Sequence, residues 1–323
     1  SRLYAEREYF QNLKLVNENE LGNHLHGSNM YSDGASWSND RQPYSSDLDI
    51  FGPGSLFHLL NRSATARGEK KLSEWLLEAA DKETICQRQE SIRELSAKRD
   101  WTQDVQAMLL PHRQKDDLTG LFGYLNLTPL FSGKKILKSY VAVAPWILLG
   151  LLALVFIAGS SKYLLIIPAL LNGTLVFFNM ARINQTDRLV GRAGKVLKSF
   201  GEIFTRIENE TWQSPHCIRL QSTIGVGSGE PLSRRIARLS ALTDKLDYRL
   251  NIFAGMILNY VFAWDLRQVF ALENWKEYNK KNLEAAFDVV AEFEALISLT
   301  SLHSNNSRWV FPVVTQPPHY TFL

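Results

Sequence analysis

The segment DLDIFGPGSLFHLLNRSATARGEKKLSEWL (residues 47–76) decides the fold. Two acids and a Gly-Pro-Gly turn precede a short apolar run, and a polar loop then leads into an amphipathic helix. Ser55 and Thr65 are residue types that cap helix N-termini, so we predict that a helix begins after each of them. Asp47 and Asp49 are interpreted as turn residues, although two carboxylates in a pocket could also serve as general acid and base.

Helical patterning continues through most of the remaining chain, where apolar residues recur at three- and four-residue intervals. The longest such stripe, residues 232–264, predicts one continuous helix of ~50 Å. A last helix is predicted over about 282–303, and Asp81 is the predicted N-cap of a helix that contains residues 85–95. Signals for β-strands are nearly absent. The sequence therefore predicts an all-α protein, an elongated helical bundle that includes very long helices.

Two uncharged apolar segments, residues 141–158 and 164–180, lie on either side of the short polar break 159–163. A helix of ~18 residues is ~27 Å long, which approaches the ~30 Å thickness of a bilayer's hydrocarbon core. We therefore predict a transmembrane hairpin, with a hairpin buried in a soluble core as the alternative. The apolar run 252–264 is too short to span a bilayer, and we predict a buried helix of a soluble bundle there.

Basic residues flank the predicted hairpin on both sides. The positive-inside rule then places both outer ends in the cytoplasm and the break between the segments on the far side. The predicted localisation is the cytoplasmic membrane with the soluble part facing the cytoplasm, and a cytoplasmic protein is the alternative. The membrane-flanking cations are Lys134, Lys135, Lys138, Arg182 and Arg188.

The motifs do not indicate a reaction centre. A composition of 45% hydrophobic and 21% charged residues is that of a globular protein, and a net charge of +3 is too small to indicate a nucleic-acid partner by itself. Two cysteines do not suggest a disulfide framework, and the histidines lack zinc-site spacing. The glycine-rich stretch 225–230 lacks the Lys-Ser/Thr pair of a phosphate-binding loop. We therefore predict no catalytic residue, cofactor site or metal site within this chain.

Residues 47–76 resemble the start of the core (lever) domain of the MutS family of DNA mismatch repair ATPases. Residues 85–95 and 287–314 are similar to two later blocks of that domain, in the family's order. Ser63 and Lys70 replace the family's usual Thr and Arg. The positions that match the structural motif in the first block are Asn61, Arg62, Thr65, Gly68, Leu72, Trp75 and Leu76.

In the interval where mismatch repair MutS proteins carry a DNA clamp, this chain has the apolar hairpin. The resemblance is therefore to a shorter, membrane-associated branch, and mismatch recognition is not implied. It implies that the chain is a fragment, with a domain that binds ATP and Mg after Leu323. It also implies DNA as a partner and a homodimer of the full-length protein, in addition to the bilayer contact through residues 141–180.

On this basis we expect a non-enzymatic lever segment that couples a nucleotide-binding domain to DNA, to the membrane, or to both. The alternative is a membrane-anchored helical scaffold that does not bind DNA. A small basic cluster in the opening segment could contact DNA phosphates, although basic residues of this kind more often form a solvated helix face. Its members are Arg62, Arg67, Lys70 and Lys71.

These expectations divide the chain into five parts. The hairpin interrupts a helical core, and a polar segment lies at each end. The predicted parts are an N-terminal helix and polar arm (1–46), the first part of the core (47–139), the hairpin (140–181), the second part of the core with the lever helices (182–303), and a linker toward the expected ATPase domain (304–323).

Overall fold

A computed structural model describes residues 2–38, 47–113, 119–129, 131, 133–159, 161–190, 193–225, 230–306 and 308–315. These residues form helices and connecting segments, and none of them belongs to a β-strand. The structure therefore confirms the all-α class. The chain divides into two compact units: unit 1 comprises residues 1–116, 202–232 and 282–323, and unit 2 comprises residues 117–201 and 233–281.

Helices Ala193–Glu208 and Trp264–Asn305 contribute residues to both units, and helix Leu232–Leu246 contributes its first residue to unit 1. Short 3-10 turns connect several of the other helices. In chain order the helices are α1 (Arg2–His26), α2 (Leu56–Leu60), α3 (Ala66–Leu77), α4 (Lys82–Ala97), α5 (Arg99–Leu109), α6 (Thr119–Asn126), α7 (Lys135–Ala158), α8 (Ile166–Phe178), α9 (Met180–Val190), α10 (Ala193–Glu208), α11 (Pro215–Gly225), α12 (Leu232–Leu246), α13 (Ile252–Phe262) and α14 (Trp264–Asn305).

The predicted N-caps of unit 1 are confirmed. Ser55 Oγ accepts a hydrogen bond of 3.1 Å from the His58 N–H at the start of α2. Thr65 Oγ1 accepts one of 3.0 Å from the Gly68 N–H, and Asp81 Oδ1 accepts one of 2.7 Å from the Thr84 N–H. Each contact satisfies a backbone donor that has no partner within its own helix, so these helices begin where a capping side chain is available.

The opening segment is packed into the core of unit 1. Phe57, Leu60 and Leu72 are buried together with Ala295 of α14, and Trp75 packs against this cluster. Because α2, α3 and α14 share these contacts, residues from both ends of unit 1 are needed to form its core. Removing any of them would expose apolar surface at a cost of ~25 cal/mol per Å².

Unit 2 has a core of its own, built from α7, α8, α9 and the first turns of α14. Every member of this cluster is less than 10% exposed, and Leu137, Tyr140 and Leu175 pack around it. The buried residues are Phe131, Val141, Val176, Ile183, Ala263, Leu266, Val269 and Phe270.

The prediction of one continuous helix over 232–264 was wrong. Helix α12 ends at Leu246, a 3-10 turn covers Asp247–Leu250, and α13 begins after Asn251, whose side chain caps the Ala254 N–H at 3.2 Å. Ala263 then ends α13 in a left-handed conformation with a φ of 47°. The apolar spacing continues through both breaks, so periodicity alone does not reveal them.

The first and last helices, α1 and α14, extend beyond the apolar patterns in the sequence. The last helix, predicted over 282–303, begins 18 residues earlier, at Trp264, and ends at Asn305. The N-terminal helix, predicted without bounds within residues 1–46, has 25 residues. Polar residues occupy much of α1 and the middle of α14, so the apolar pattern marks only part of each helix.

Candidate functional site

Helix α7 carries an extensive apolar surface. The stretch Lys135–Ile157 is long and apolar enough to cross a membrane. Only 17% of its most apolar 18-residue segment is buried. A core helix of a soluble protein meets the same length criterion, but most of its residues are buried. Large side chains are exposed along the whole of α7; they are Ile136, Val143, Trp146, Ile147, Leu149, Leu152, Leu154, Phe156 and Ile157.

The second half of the predicted hairpin is not a straight span. Helix α8 has 13 residues, or ~20 Å, and does not reach across a ~30 Å hydrocarbon core by itself. Residues 162–178 reach that length only together with α9, and the two parts are bent by 61°. Asn179 occupies the bend and its side-chain amide donates to the Leu175 carbonyl at 2.8 Å. Among the described residues, one helix is thus long and apolar enough to span a membrane by itself, and a second segment reaches that length only as a bent pair.

The short helix α13 contradicts its prediction as a buried helix. Ile252 and Phe253 are 78% and 77% exposed, and Met256 and Ile257 are also exposed. Gly255 is the buried residue of this helix, where an added Cβ would lie 3.0 Å from the Cα of Arg249. The length of an apolar segment shows whether it can span a bilayer, but it does not show whether a shorter helix is buried. Helix α13 is short and largely exposed.

A buried polar network joins α7, α8 and α13. Asn172 is fully buried in the middle of the apolar helix α8. Its Oδ1 accepts a hydrogen bond of 2.9 Å from the Tyr140 hydroxyl, and its Nδ2 donates to the carbonyls of Tyr260 at 3.0 Å and Val261 at 3.3 Å. These carbonyls belong to the last turn of α13, where carbonyls lack partners within their own helix. Asn172 therefore satisfies backbone acceptors between packed helices.

Two of the predicted membrane-flanking cations meet at Asn179. Lys134 Nζ and Arg182 Nη1 lie 3.4 and 3.3 Å from Asn179 Oδ1. Two exposed cations bond elsewhere: Lys138 Nζ donates to Asn274 Oδ1 at 2.7 Å and Arg188 Nε to the Asn184 carbonyl at 3.4 Å. Lys135 is also exposed. The end of α7 that carries Lys134 and the bend between α8 and α9 thus form one basic, hydrogen-bonded boundary next to the apolar surface.

The opening segment is held by a buried carboxylate that sequence reasoning did not select. Glu294 of α14 accepts hydrogen bonds from the Ala64 N–H at 2.7 Å and the Thr65 N–H at 3.0 Å, and also from the Thr65 hydroxyl. Burial raises the pKa of this carboxyl to about 7, against the lowering effect of these hydrogen bonds. Burial likewise raises the pKa of the neighbouring Glu69 to about 7. The signal in the sequence was an acidic residue within an otherwise apolar face of α14.

Gly68 lies directly beside this carboxylate. An added Cβ would come within 2.9 Å of the Glu294 Cβ and would also collide with its carboxyl group. Helix α14 therefore approaches α3 closely at this small residue. The contact fixes α3 against α14 at the first turn of α3.

Arg62 does not lie on the surface, which contradicts its prediction as a phosphate contact. Its side chain is buried and forms an ion pair with Glu20. Its Nη1 donates to the carbonyls of Leu59 and Asn61, each at 3.0 Å, and its backbone N–H donates to Ser298 Oγ at 2.9 Å. Through these contacts the guanidinium holds the end of α2 against α1, within unit 1.

The three remaining candidate phosphate contacts lie on α3 beside acidic residues. Arg67 Nη1 forms an ion pair of 2.7 Å with Asp288, and Lys70 and Lys71 lie 3.8 and 3.4 Å from the carboxylate of Glu74. These groups are at least partly exposed, and exposed pairs of this kind contribute only about 0–1 kcal/mol to stability. A phosphate group would compete with these carboxylates, so the phosphate contacts stay predictions.

The remaining candidate residues from the sequence do not form a chemical site in the described structure. Asp47 and Asp49 are exposed, and the Asp49 backbone carbonyl accepts from the Leu56 N–H at 3.0 Å. Cys86 and Cys217 are free thiols. No group of three or more His, Cys, Asp or Glu residues could hold a metal ion among the residues that the structure covers. Residues 226–229 of the glycine-rich stretch lie outside the described residues.

We found no matching protein-family model, no matching curated protein and no matching solved structure.

Proposed function

We propose that this chain is the helical core of a MutS-related ATPase that is attached to the cytoplasmic membrane through unit 2. In this proposal the soluble part faces the cytoplasm, and α14, which contributes to both units, transmits movement between a nucleotide-binding domain and the DNA or bilayer that the protein contacts. No catalytic step is assigned to the chain itself; ATP and Mg would be bound elsewhere in a full-length dimer.

The exposed apolar surface of α7 carries the membrane part of this proposal. Water-exposed side chains of this size along 23 residues would cost a soluble protein ~25 cal/mol per Å² of apolar surface. A bilayer removes that cost, and the cations near Asn179 suit the basic cytoplasmic boundary. The family part is supported by a different observation: the motif residue Asn61 is buried, and the apolar motif positions Leu72, Trp75 and Leu76 contribute to one packed core.

Alkaline carbonate extraction tests the membrane attachment. We expect the protein to stay in the membrane pellet, and Leu149→Arg to shift it toward the supernatant, because an arginine near the centre of a span costs about 3 kcal/mol. Ala237→Arg, at an exposed position of α12 in the same unit, is the matched control and should leave the pellet fraction unchanged. Release of the unmodified protein by carbonate would overturn the proposal.

DNA binding by the full-length protein separates the lever proposal from its alternative, a membrane-anchored scaffold without DNA contact. If Arg67, Lys70 and Lys71 meet phosphates, log affinity should fall with log salt, and replacing all three by alanine should reduce the slope by about 3. Lys14→Ala, an exposed lysine of the same unit, is the control. The pairing of these cations with Asp288 and Glu74 favours the scaffold, which a flat salt response would support.

A further inference from the structure

We infer that α13 is a third lipid-contacting element, a short helix that enters the bilayer only to a shallow depth. This inference rests on the proposed membrane attachment of unit 2 and adds a binding surface to it. The surface consists of Ile252, Phe253, Met256, Ile257 and Tyr260, all exposed and spaced so that they share one side of the helix.

The length of α13 excludes a span and suits an interfacial position. Eleven residues make a helix of ~16 Å, about half of a hydrocarbon core. None of these eleven residues is charged. Two aromatic residues of the kind that favours the membrane–water interface flank α13 in the sequence, and they lie together: Tyr248 stacks on Trp264 with ring centroids 6.3 Å apart.

Side chains satisfy backbone groups at both ends of α13, as a helix in contact with hydrocarbon requires. Asn251 caps the first turn, and the fully buried Asn172 donates to two carbonyls of the last turn. In a hydrocarbon environment an unpaired carbonyl costs several kcal/mol, so such partners are required there. Tyr260 also lies over Gly173 of α8, where an added Cβ would come 2.6 Å from its ring.

The same contacts set the depth. Asn172 bonds Tyr140, which lies six residues, or ~9 Å, along α7 from Lys134 at the basic boundary. The residues that precede α13 return toward that boundary, because Arg249 Nη2 bonds Asn184 Oδ1 of α9 at 2.6 Å. Helix α13 therefore lies between the basic boundary and a depth of ~9 Å, which is the range of interfacial helices.

Depth-dependent fluorescence quenching tests this placement. In a chain with Cys86 and Cys217 replaced by alanine, a polarity-sensitive dye is attached at Phe253→Cys, at Leu149→Cys in α7, or at Ala237→Cys in α12. The three proteins are reconstituted into phosphatidylcholine–phosphatidylglycerol vesicles that contain lipids spin-labelled near the headgroup or near the chain end. We expect loss of fluorescence at position 253 chiefly with the headgroup-proximal label, loss at 149 chiefly with the chain-end label, and none at 237.

The outcomes separate this inference from the proposed function. Quenching at position 149 without quenching at 253 would overturn the shallow helix and leave the membrane span intact. Quenching at neither position would overturn both. A disulfide-linked dimer through Phe253→Cys, without lipid quenching, would assign the face to a second copy of the chain and also overturn the inference.

Discussion

Replacing Glu294 by alanine is expected to lower the free energy of unfolding of unit 1 by about 4 kcal/mol. The change leaves the buried N–H groups of Ala64 and Thr65 without an acceptor, and each unsatisfied buried group costs about 1–3 kcal/mol. It also removes the partner of the Thr65 hydroxyl at the first turn of α3. Urea unfolding in detergent micelles, followed by tryptophan fluorescence, measures this loss.

A sharper test compares how the free energy of unfolding depends on pH in the unmodified protein and in Glu294→Gln. The folded pKa of about 7 lies above the ordinary value of 4.5. The folded state therefore binds the proton more tightly, and the associated stability is present below pH 4.5 and lost as the pH rises through 7. At 1.36 kcal/mol per pKa unit, this loss is about 3 kcal/mol above pH 8. Glutamine keeps an acceptor but does not titrate, so the variant should lack this loss.

Two controls keep the interpretation of Glu294 specific. Asp288→Ala, on the exposed side of α14, should change stability by less than about 1 kcal/mol because its ion pair with Arg67 is partly exposed. Glu69 also has a pKa of about 7, and its charge contributes to raising the pKa of Glu294, so Glu69→Gln is profiled alone and together with Glu294→Gln. Parallel pH profiles of the unmodified protein and Glu294→Gln would contradict a buried carboxyl that gains its proton on folding.

The parts of the fold that sequence predicted depend on short-range chemistry. Ser55, Thr65 and Asp81 were identifiable because an N-cap needs only a side-chain acceptor two or three residues before a free N–H. The apolar character of α7 was visible because an uncharged segment of bilayer length stands out from the mixed composition of soluble helices. The all-α class followed from the same local periodicity.

What the sequence missed depends on contacts between residues that are distant along the chain. In the sequence, Glu294 is one of several acidic residues of α14 and Asn172 lies within an apolar segment; their partners lie about 230 and 88 residues away. The helix breaks before Asn251 and at Ala263 are likewise compatible with uninterrupted apolar spacing, because capping and packing decide them. The apolar residues of α13 are compatible with a buried helix and with an exposed one. Only the tertiary structure shows that its apolar side is left uncovered.

Replacing Arg62 by alanine is also expected to cost about 4 kcal/mol, because breaking a buried ion pair leaves its other charge without compensation. Here the change removes the cation that pairs with Glu20, which keeps a hydrogen bond from Asn305 Nδ2, and the donor to the carbonyls of Leu59 and Asn61 at the end of α2. Arg62→Lys should recover only part of the loss. A lysine carries the charge but cannot reproduce the planar, branched set of donors that reaches the carboxylate and the carbonyls together.

Arg67→Ala is the matched control for Arg62, since it removes an arginine five residues away whose ion pair is partly exposed. We expect a change of less than about 1 kcal/mol there. The two arginines should also separate in a DNA-binding experiment: Arg67→Ala would change the salt slope, whereas Arg62→Ala would reduce the amount of folded protein without changing the slope per folded molecule. If Arg62→Ala instead left stability intact and flattened the salt dependence, the guanidinium would have to leave its buried pair to meet phosphate, and its structural assignment would be wrong.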